Sequence, residues 1–419
     1  MEPISSGSVT LVEDCHALGI EVFVASAGQD ERMVQDGVRK LAHTVITVDT
    51  NDEAALTEKV CRIHARHPLA AVLPGVEPYV GPAARIARRL GLRGLTEGTA
   101  ERVRDKALMR ASVARAGLRV PRFAEVSDTT ELARAAQATG GFPCVLKPVD
   151  SCGSMHVSRV DDLGQLKDAY RRLREDERLD LGIPLGSRAL VEEYVRGPEF
   201  SADGYVAADG SVVICSLTRK ILGPEPHFVE LGHIVPSDVP PDVMKRVKEY
   251  VQGVTEAVGI TFGPFHCELR LPDGIPVMIE IAARLPGDHI TDLVHIATGV
   301  SLSRVMLAAY LGHPPEMLGA LGEPEAASAG IRYFVPGAEP EDGAGRSAFE
   351  DGEALSLHSA VRQTGLDAEP GVALQAPEDF RGRTGYALFT ASDPSDALRI
   401  WKELGHLMRT GTGVGEGER

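Results

Sequence analysis

The chain has 419 residues, of which 43% are hydrophobic and 25% charged, and at roughly 150 residues per domain this length predicts two or three domains. The composition excludes a mainly disordered chain, a collagen and a disulfide-rich scaffold. The net charge of −16 disfavours nucleic acid and anionic membranes as partners. No apolar run reaches the roughly 18–20 residues that span a bilayer. The first residues lack a secretory signal, and the six scattered cysteines indicate reduced thiols, so we expect a cytoplasmic protein.

The N-terminal region alternates short apolar runs with stretches of helical periodicity. The runs IEVFVAS, TVITVD and AAVLPG are typical of strands, and EAALTEKVCRIHARH and GPAARIARRLG are typical of helices. This alternation predicts a parallel sheet with helices on its faces. The preceding segment, SSGSVTLVEDCHALG, predicts a turn and a helix, so either the first strand is confined to Met1–Ile4 or the chain starts further upstream.

The central region predicts a helix at about Thr99–Ala116, the strand FPCVLKP, the Gly/Ser loop DSCGSMHVS, a helix near Leu163–Glu175 and the strand ALVEEYV. DG turns predict hairpins in ADGYVAADGSVVICSLTRK and in GPFHCELRLPDGIPVMIEIAAR, with the loop FVELGHIVP and the helix PPDVMKRVKEYVQGVTEAVG between them. Residues 337–370, rich in Gly, Pro, Glu and Asp, predict a flexible surface loop. A final α/β segment ends at about Met408, before a frayed tail.

Candidate functional residues occur along this region in a fixed order. Taken singly each is weak, because the loop could be only a turn, the lysines solvated surface and the glutamates the exposed face of a hairpin. The informative feature is the series of two lysines, a Gly/Ser loop, an acidic-apolar strand, further acids and an arginine: Lys106, Lys147, Ser151 to Ser154, EEYV, Glu199, Glu268, Glu280 and Arg284.

The motifs VLKPVDSCGS, EEYVRGPEFSADG, FVELGHIVP and FHCELRLPDGIPVMIEIAARLPGDHI carry a family resemblance. From about Gly19 to Met408 the sequence resembles the ATP-grasp superfamily. Within the superfamily, its ELGH and ARLPGD segments look most like those of the ligases of the bacilysin-synthetase type, which join L-amino acids. The resemblance implies an α/β ATP-grasp fold with a doubly wound pre-ATP-grasp domain (1–97), an ATP-grasp unit (98–312) with a lid subdomain at about 117–200, and a C-terminal α/β segment (313–419).

The resemblance assigns the phosphate groups of ATP to the two lysines and the loop. Lys106 and Lys147 are point cations suited to the α- and β-phosphates. The loop from Ser151 to Ser154 can close over the β- and γ-phosphates with its backbone N–H groups. Gly153 permits the close approach.

The same resemblance places the nucleoside beside EEYV and the acid that follows. Adenine is expected against the backbone from Glu193 to Val195, with Glu192 near its exocyclic amine. Glu199 matches the acid that accepts hydrogen bonds from the ribose hydroxyl groups. The alternative for EEYV is a core strand with one wet face.

Glu268 and Glu280 supply hard anionic oxygens on adjacent strands, which suit one or two Mg²⁺ ions, or Mn²⁺. Many members of the superfamily have Asn where this chain has Ala282, so the coordination of a second metal stays open. Arg284 is the group suited to charge that develops on the transferred phosphoryl group.

The resemblance puts Glu230 and His233 at the mouth of the active site. Glu230 is expected to be a metal or amine ligand, and His233 is expected to lie beside the substrate. The alternative for this histidine is a surface residue. Asp288 and His289 are further candidates for holding an amino group or a carboxylate. Because side chains alternate along a strand, His266 shares the face of Glu268. A packing role for His266 agrees with this pattern as well as a functional role does.

The expected reaction activates a carboxylate, that of an amino acid above all, as an acyl phosphate and couples it to an amine with release of ADP and phosphate. The partners would be small-molecule substrates, and a homodimer is compatible with the resemblance. Two alternatives stay open: a carboxylase of the biotin or purine type that uses bicarbonate, and a nucleotide-binding protein without activity, suggested by Ala282. A nucleophilic role for Cys152 is not expected, because the loop needs only a small residue there.

Overall fold

The computed structural model describes residues 1–177, 179–184, 186, 188–335, 355, 357–366 and 378–410. Its helices are α1 (Ser6–Ala17), α2 (Asp36–Leu41), α3 (Glu53–His64), α4 (Val80–Arg89), α5 (Glu97–Arg104), α6 (Lys106–Arg115), α7 (Leu132–Ala138), α8 (Leu163–Glu175), α9 (Pro241–Val258), α10 (Ile290–Thr298), α11 (Leu302–Leu311) and α12 (Pro394–Thr410). None of these described helices combines the length and apolar character needed to cross a membrane.

The strands of the described residues form four sheets. They are β1 (Phe23–Ser26), β2 (Thr44–Thr47), β3 (Phe123–Val126), β4 (Cys144–Pro148), β5 (Ser158–Val160), β6 (Leu179–Asp180), β7 (Ile183–Pro184), β8 (Ala189–Glu193), β9 (Glu199–Val206), β10 (Val212–Leu222), β11 (Glu230–Val235), β12 (Gly263–Arg270), β13 (Val277–Ala282), β14 (Ser328–Phe334), β15 (Val361–Leu366) and β16 (Gly385–Ala391).

The N-terminal region has the predicted helices but fewer strands than predicted. Only β1 and β2 form a regular parallel pair. The run AAVLPG is not a strand: the Gly75 N–H donates to the Met1 carbonyl at 2.7 Å, and the Met1 ammonium donates to the Leu73 carbonyl at 3.0 Å. Because Pro74 between them has no N–H, these contacts do not extend into a ladder. Met1–Ile4 likewise lies alongside β1 without forming a strand.

The predicted lid is a separate antiparallel sheet with the order β3-β8-β4-β5. It has its own core, in which Leu132 of α7 and Leu166 of α8 pack against Leu146 and Val191 of the sheet. Two of its strands, β4 and β8, carry the predicted nucleotide-binding residues Lys147, Glu192 and Glu193 near their C-terminal ends.

In the part of the chain that the structure describes, the main sheet has eight antiparallel strands in the order β13-β12-β9-β10-β11-β14-β16-β15. Its core joins Phe265 and Leu269 of β12 to Val247 of α9, Leu293 of α10 and Met306 of α11. The C-terminal strands β14, β15 and β16 continue this sheet. The edge strand β15 lies within the predicted loop 337–370, whose residues 337–354, 356 and 367–370 fall outside the described residues, as does the predicted tail from 411 onward.

The predicted helix Thr99–Ala116 is two helices. Asp105 has an extended backbone (φ −91°, ψ 110°), and its side chain accepts from Leu108 N, which caps a new helix. An aspartate in this position satisfies a backbone donor that the helix itself leaves unpaired. Lys106 therefore lies in the first turn of α6, where its own N–H donates to the Val149 carbonyl at 2.9 Å beside the Gly/Ser loop.

The segment FVELGHIVP is predicted as a loop, but it contains the strand β11. The pairing of β10 with β11 shifts between Ile221, opposite Gly232, and Leu222, opposite Glu230, so Leu231 is an extra residue. Such a bulge changes which side chains share a face. Glu230 and His233, three residues apart, therefore point to the same side of the sheet and come within 3.3 Å of each other.

Gly204 marks a close approach of two strands in the main sheet. A Cβ atom at this position would lie 2.1 Å from the carbonyl oxygen of Val213 on β10. We expect Gly204→Ala to lower the free energy of unfolding by about 1–3 kcal/mol, because backbone must move to admit the methyl group. Gly37→Ala in α2, where a Cβ meets nothing within 4 Å, is the control and should be neutral or slightly stabilising. Equal denaturant midpoints for the two variants would contradict this packing.

Candidate active site

An open cleft is lined by residues of the lid sheet and of the main sheet. Its walls contain every residue that the sequence predicts to contact nucleotide or metal: Lys106, Lys147, Ser151, Gly153, Ser154, Glu192, Glu193, Val195, Glu199, Glu268 and Glu280. Residues from α6, from the loop after β4 and from five strands therefore meet in one place.

Lys147 is held by a buried acid that the sequence analysis placed near adenine. Its Nζ lies 2.7 Å from Glu192 Oε2, and the other oxygen of Glu192 lies 2.9 Å from Arg110 Nε. Burial lowers the pKa of Lys147 to about 8, and the nearby Arg110 adds to this effect. Both oxygens of Glu192 are thus engaged by cations, so its side chain orients Lys147. Arg110 is fully buried and was missed by the sequence analysis.

Lys106 joins the Gly/Ser loop to the strand of the second predicted metal ligand. Its Nζ donates to the Ser151 carbonyl and lies 3.1 Å from Glu280 Oε1. The loop itself has left-handed backbone at Gly153 (φ 62°) and Ser154 (φ 61°). A Cβ on Gly153 would lie 2.4 Å from the ring of Phe380. Glycine is therefore required here for packing against the C-terminal segment as well as for the backbone conformation.

The buried side chain of Lys220 lies behind the acidic wall of the cleft, among three carboxylates. Its Nζ lies 2.6 Å from Glu268, 2.7 Å from Glu230 and 3.4 Å from Glu199. Burial would lower the pKa of this lysine, but the three carboxylates outweigh it and hold the pKa well above the usual value. Glu199 also accepts from Arg270 Nε at 2.9 Å. The sequence analysis missed both cations, although Lys220 ends a predicted hairpin strand.

The two predicted metal ligands face each other across β12 and β13. Glu268 pairs directly with Glu280, and like charges in this arrangement destabilise a sheet unless cations compensate them. Lys220 and Lys106 supply that compensation. Two carboxylates lining one cleft are the oxygen donors that Mg²⁺ prefers, so this donor set fits the ion. Ala282 contributes no ligand.

Glu268 is also held by a buried histidine. His266 Nε2 lies 3.2 Å from Glu268 Oε1, and its Nδ1 lies 2.6 Å from Asp203. Burial lowers the pKa of His266, but Asp203 more than reverses this and raises it to about 9. Cys152 does not ionise readily, because burial raises the pKa of its thiol to about 12.

A second polar cluster lies at the end of the cleft. His233 Nε2 is 3.2 Å from Asp288 and 3.3 Å from Glu230. The prediction that His233 lies at the mouth of the site is wrong, since its side chain is fully buried on a strand paired on both sides. Burial lowers the pKa of His233, but hydrogen bonds to Asp288 and Glu230 outweigh it and the net shift is upward.

The three groups of this cluster lie close enough together to hold a metal ion. However, Arg383 already supplies a positive charge there, with NH1 2.8 Å from Asp288 and NH2 3.5 Å from Glu230. This arginine comes from the C-terminal segment, packs on the Tyr333 ring and was missed by the sequence analysis. His289, a further candidate, contacts Asp292 at 2.7 Å instead.

Arg284 is fixed by the N-terminal domain. Its Nε donates to Glu77, which begins a short 3₁₀ helix, Glu77–Tyr79. Glu77 is buried, and among the described residues its Oε1 has no hydrogen-bond partner. Glu77 was not predicted from the sequence. The available signal was its position just after AAVLPG, which the sequence predicts as a strand, since ligands of open α/β domains bind where strands end.

Comparisons with known proteins agree with this arrangement. The profile of the ATP-grasp domain matches residues 140–292, and that of the ATP-grasp N-terminal domain matches residues 12–94. The alanine–anticapsin ligase of Bacillus subtilis is 26% identical over 270 residues, 61% of this chain but only 57% of that ligase. Dapdiamide A synthase of Enterobacter agglomerans is 27% identical over 321 residues, 75% of this chain and 73% of the synthase.

The fold agrees as well. The crystal structure of the L-amino acid ligase from Bacillus licheniformis superimposes with a TM-score of 0.78 at 24% identity, over 95% of this chain and 94% of that one. The chain therefore belongs to the ATP-grasp superfamily, as its motifs predict. The predicted enzyme class, an ATP-dependent ligase that forms a carbon–nitrogen bond, is confirmed by these relatives.

The Lys220 cluster leads to a stability prediction. Lys220→Met removes the charge that three carboxylates share, and loss of one partner of a buried ion pair costs about 3–5 kcal/mol. We expect the unfolding midpoint to fall accordingly in denaturant titrations without nucleotide. Lys245→Met on α9, where the side chain is 78% exposed, is the control and should unfold like the wild type. An unchanged midpoint for Lys220→Met would show that the carboxylates are neutralised in another way.

Proposed function

We propose that this protein activates the carboxylate of an amino acid with ATP and couples the resulting acyl phosphate to an amine. The product would be an amide or dipeptide, with release of ADP and phosphate. The supporting observation is that a second cavity, of about 680 Å³, adjoins the nucleotide cleft. The two spaces share Glu230, Glu268 and the loop from Cys152 to Ser154. A phosphoryl group bound under this loop would therefore face a substrate in the second cavity.

The first step would be attack of the substrate carboxylate on the γ-phosphate. Lys106 and Lys147 hold the phosphate chain, and catalysis of such a transfer depends on positioning and on stabilisation of charge. Mg²⁺ held by Glu268 and Glu280 would neutralise part of the phosphate charge. Arg284 lines the second cavity, and its guanidinium stabilises the charge on the acyl phosphate.

The second step would be attack of the amine on the acyl phosphate. Glu230 and Asp288 line the second cavity and can bind an ammonium group, whose proton Glu230 can accept. Asp288 is the weaker base, because Arg383 and His233 hold its pKa well below the usual value. His233 lies behind them and contacts both carboxylates. We therefore assign it a positioning role rather than direct contact with substrate. The unpartnered Oε1 of Glu77 offers a further acceptor for an ammonium group beside Arg284.

An isotope experiment tests the proposed chemistry. Amino acids labelled with ¹⁸O in the carboxylate are incubated in pairs with ATP and Mg²⁺, and phosphate and nucleotides are analysed by mass spectrometry. We expect ¹⁸O in inorganic phosphate, ADP as the nucleotide and dependence on the amine. Label in AMP would overturn the acyl-phosphate route. Release of ADP that depends on bicarbonate but on no amine would favour the carboxylase, and no hydrolysis with any pair would favour the inactive protein.

The metal assignment predicts the effect of one neutral substitution. Glu280→Gln keeps the size of the side chain but removes a charge from the proposed Mg²⁺ site, so turnover should fall at least about 100-fold, as for loss of one transition-state contact. Glu249→Gln, with a side chain 68% exposed, is the control. Circular dichroism checks that both variants fold. Near-wild-type turnover of folded Glu280→Gln would remove this residue from the site.

A further inference from the structure

The lid carries a short hairpin, β6–β7, whose turn contacts the N-terminal domain. Leu181 N donates to Glu31 Oε2 at 2.8 Å, and Asn51 Nδ2 donates to the Leu181 carbonyl at 3.0 Å. Both Leu181 and the preceding Asp180 line the second cavity. The hairpin is thus one wall of that cavity, and its contacts with the N-terminal domain hold Asp180 in position.

The carboxylate of Asp180 is buried, and no described residue forms an ion pair with it. The residue is 9% exposed, and among the described residues its side chain contacts one polar group, the Cys152 Sγ at 3.7 Å. Burial raises the pKa of Asp180; Arg104 and Arg381 attract it from a distance, but neither forms an ion pair with it. A carboxylate in this situation is costly to bury. A cation from a bound ligand would remove that cost.

The other charges of the cavity leave its balance negative. Among the described residues, five further carboxylates line it, against three guanidinium groups and His266, whose pKa is raised to about 9. Each guanidinium group already has a carboxylate partner, in the pairs Arg284–Glu77, Arg381–Asp379 and Arg383–Asp288. An amino acid brings one carboxylate, which Arg284 can bind beside its contact with Glu77, and one ammonium group, which Glu77, Glu230 or Asp288 can bind in addition to its present partner. Asp180, on the lid hairpin, is then left for a further positive charge.

We propose that Asp180 is a specificity-determining residue that binds a cationic side chain of one substrate, so that the enzyme prefers a basic amino acid of the lysine or ornithine type. This inference rests on the proposed function, since it names the substrate class for the same cavity. The hairpin contacts preorganise the carboxylate, and a preorganised partner raises affinity because less ordering is needed on binding.

Calorimetry in the presence of Mg²⁺ and a non-hydrolysable ATP analogue measures this preference without turnover. L-Lysine is compared with L-norleucine, which has the same chain length but lacks the charge. The wild type should bind lysine more tightly, and Asp180→Asn should reduce the preference about tenfold to a hundredfold, the range for a hydrogen bond to a charged group. Asp180→Glu, which keeps the charge, should retain part of the preference for lysine.

Glu31→Gln is the matched control, because it removes another carboxylate of the cavity but keeps an oxygen to accept from Leu181 N. Its preference for lysine should match the wild type. Equal binding of lysine and norleucine by the wild type, or equal losses for both in Asp180→Asn, would overturn the inference. If the enzyme couples neutral amino acids and shows no preference for basic ones, this inference is refuted and the proposed function stands. A binding preference without coupling of any pair would refute the proposed function and leave Asp180 as a cation site.

Discussion

The charge balance around the Lys220 ammonium is the constraint on which the rest of the site depends. Three strands, β9, β11 and β12, each contribute one carboxylate to it: Glu199, Glu230 and Glu268. Charges buried this deeply are tolerated only when they are paired, so the strand register must bring them to one point. Lys220 therefore contacts the carboxylates proposed to bind ribose, amine and metal. A change in the charge of one of these carboxylates alters the electrostatic environment of the other two.

The substrate cavity depends in turn on contacts between separate parts of the chain. Glu77 of the N-terminal domain holds Arg284, Arg383 of the C-terminal segment holds Asp288, and the lid hairpin contacts Glu31. An acyl phosphate is consumed by water unless the site closes around it. A cavity built from three regions can exclude water when they come together and can exchange substrates when they separate, which suits the proposed two-step reaction.

Local chemistry allowed much of the fold to be predicted. The helix at Leu163–Glu175 has the predicted bounds, since Asp162 caps it and its apolar residues recur with helical spacing. The DG turns predict both hairpins of the main sheet, and alternation across one of them places Glu268 opposite Glu280. By contrast, the break at Asp105 and the bulge at Leu231 were missed, because each depends on one residue whose backbone conformation is set by its neighbours in space.

The sequence by itself therefore determined the family, through its motifs and their spacing, and most of the helices and hairpins, through local periodicity and turn residues. The acids and lysines that the resemblance assigned to nucleotide and metal also line one cleft. Only the tertiary structure decided how the charges are paired: Glu192 between Lys147 and Arg110, Lys220 among three acids, His233 buried rather than at the mouth. The physical reason is that such pairs join distant residues. Arg284 and Glu77 are 207 positions apart, and no local pattern encodes which buried charge will neutralise another.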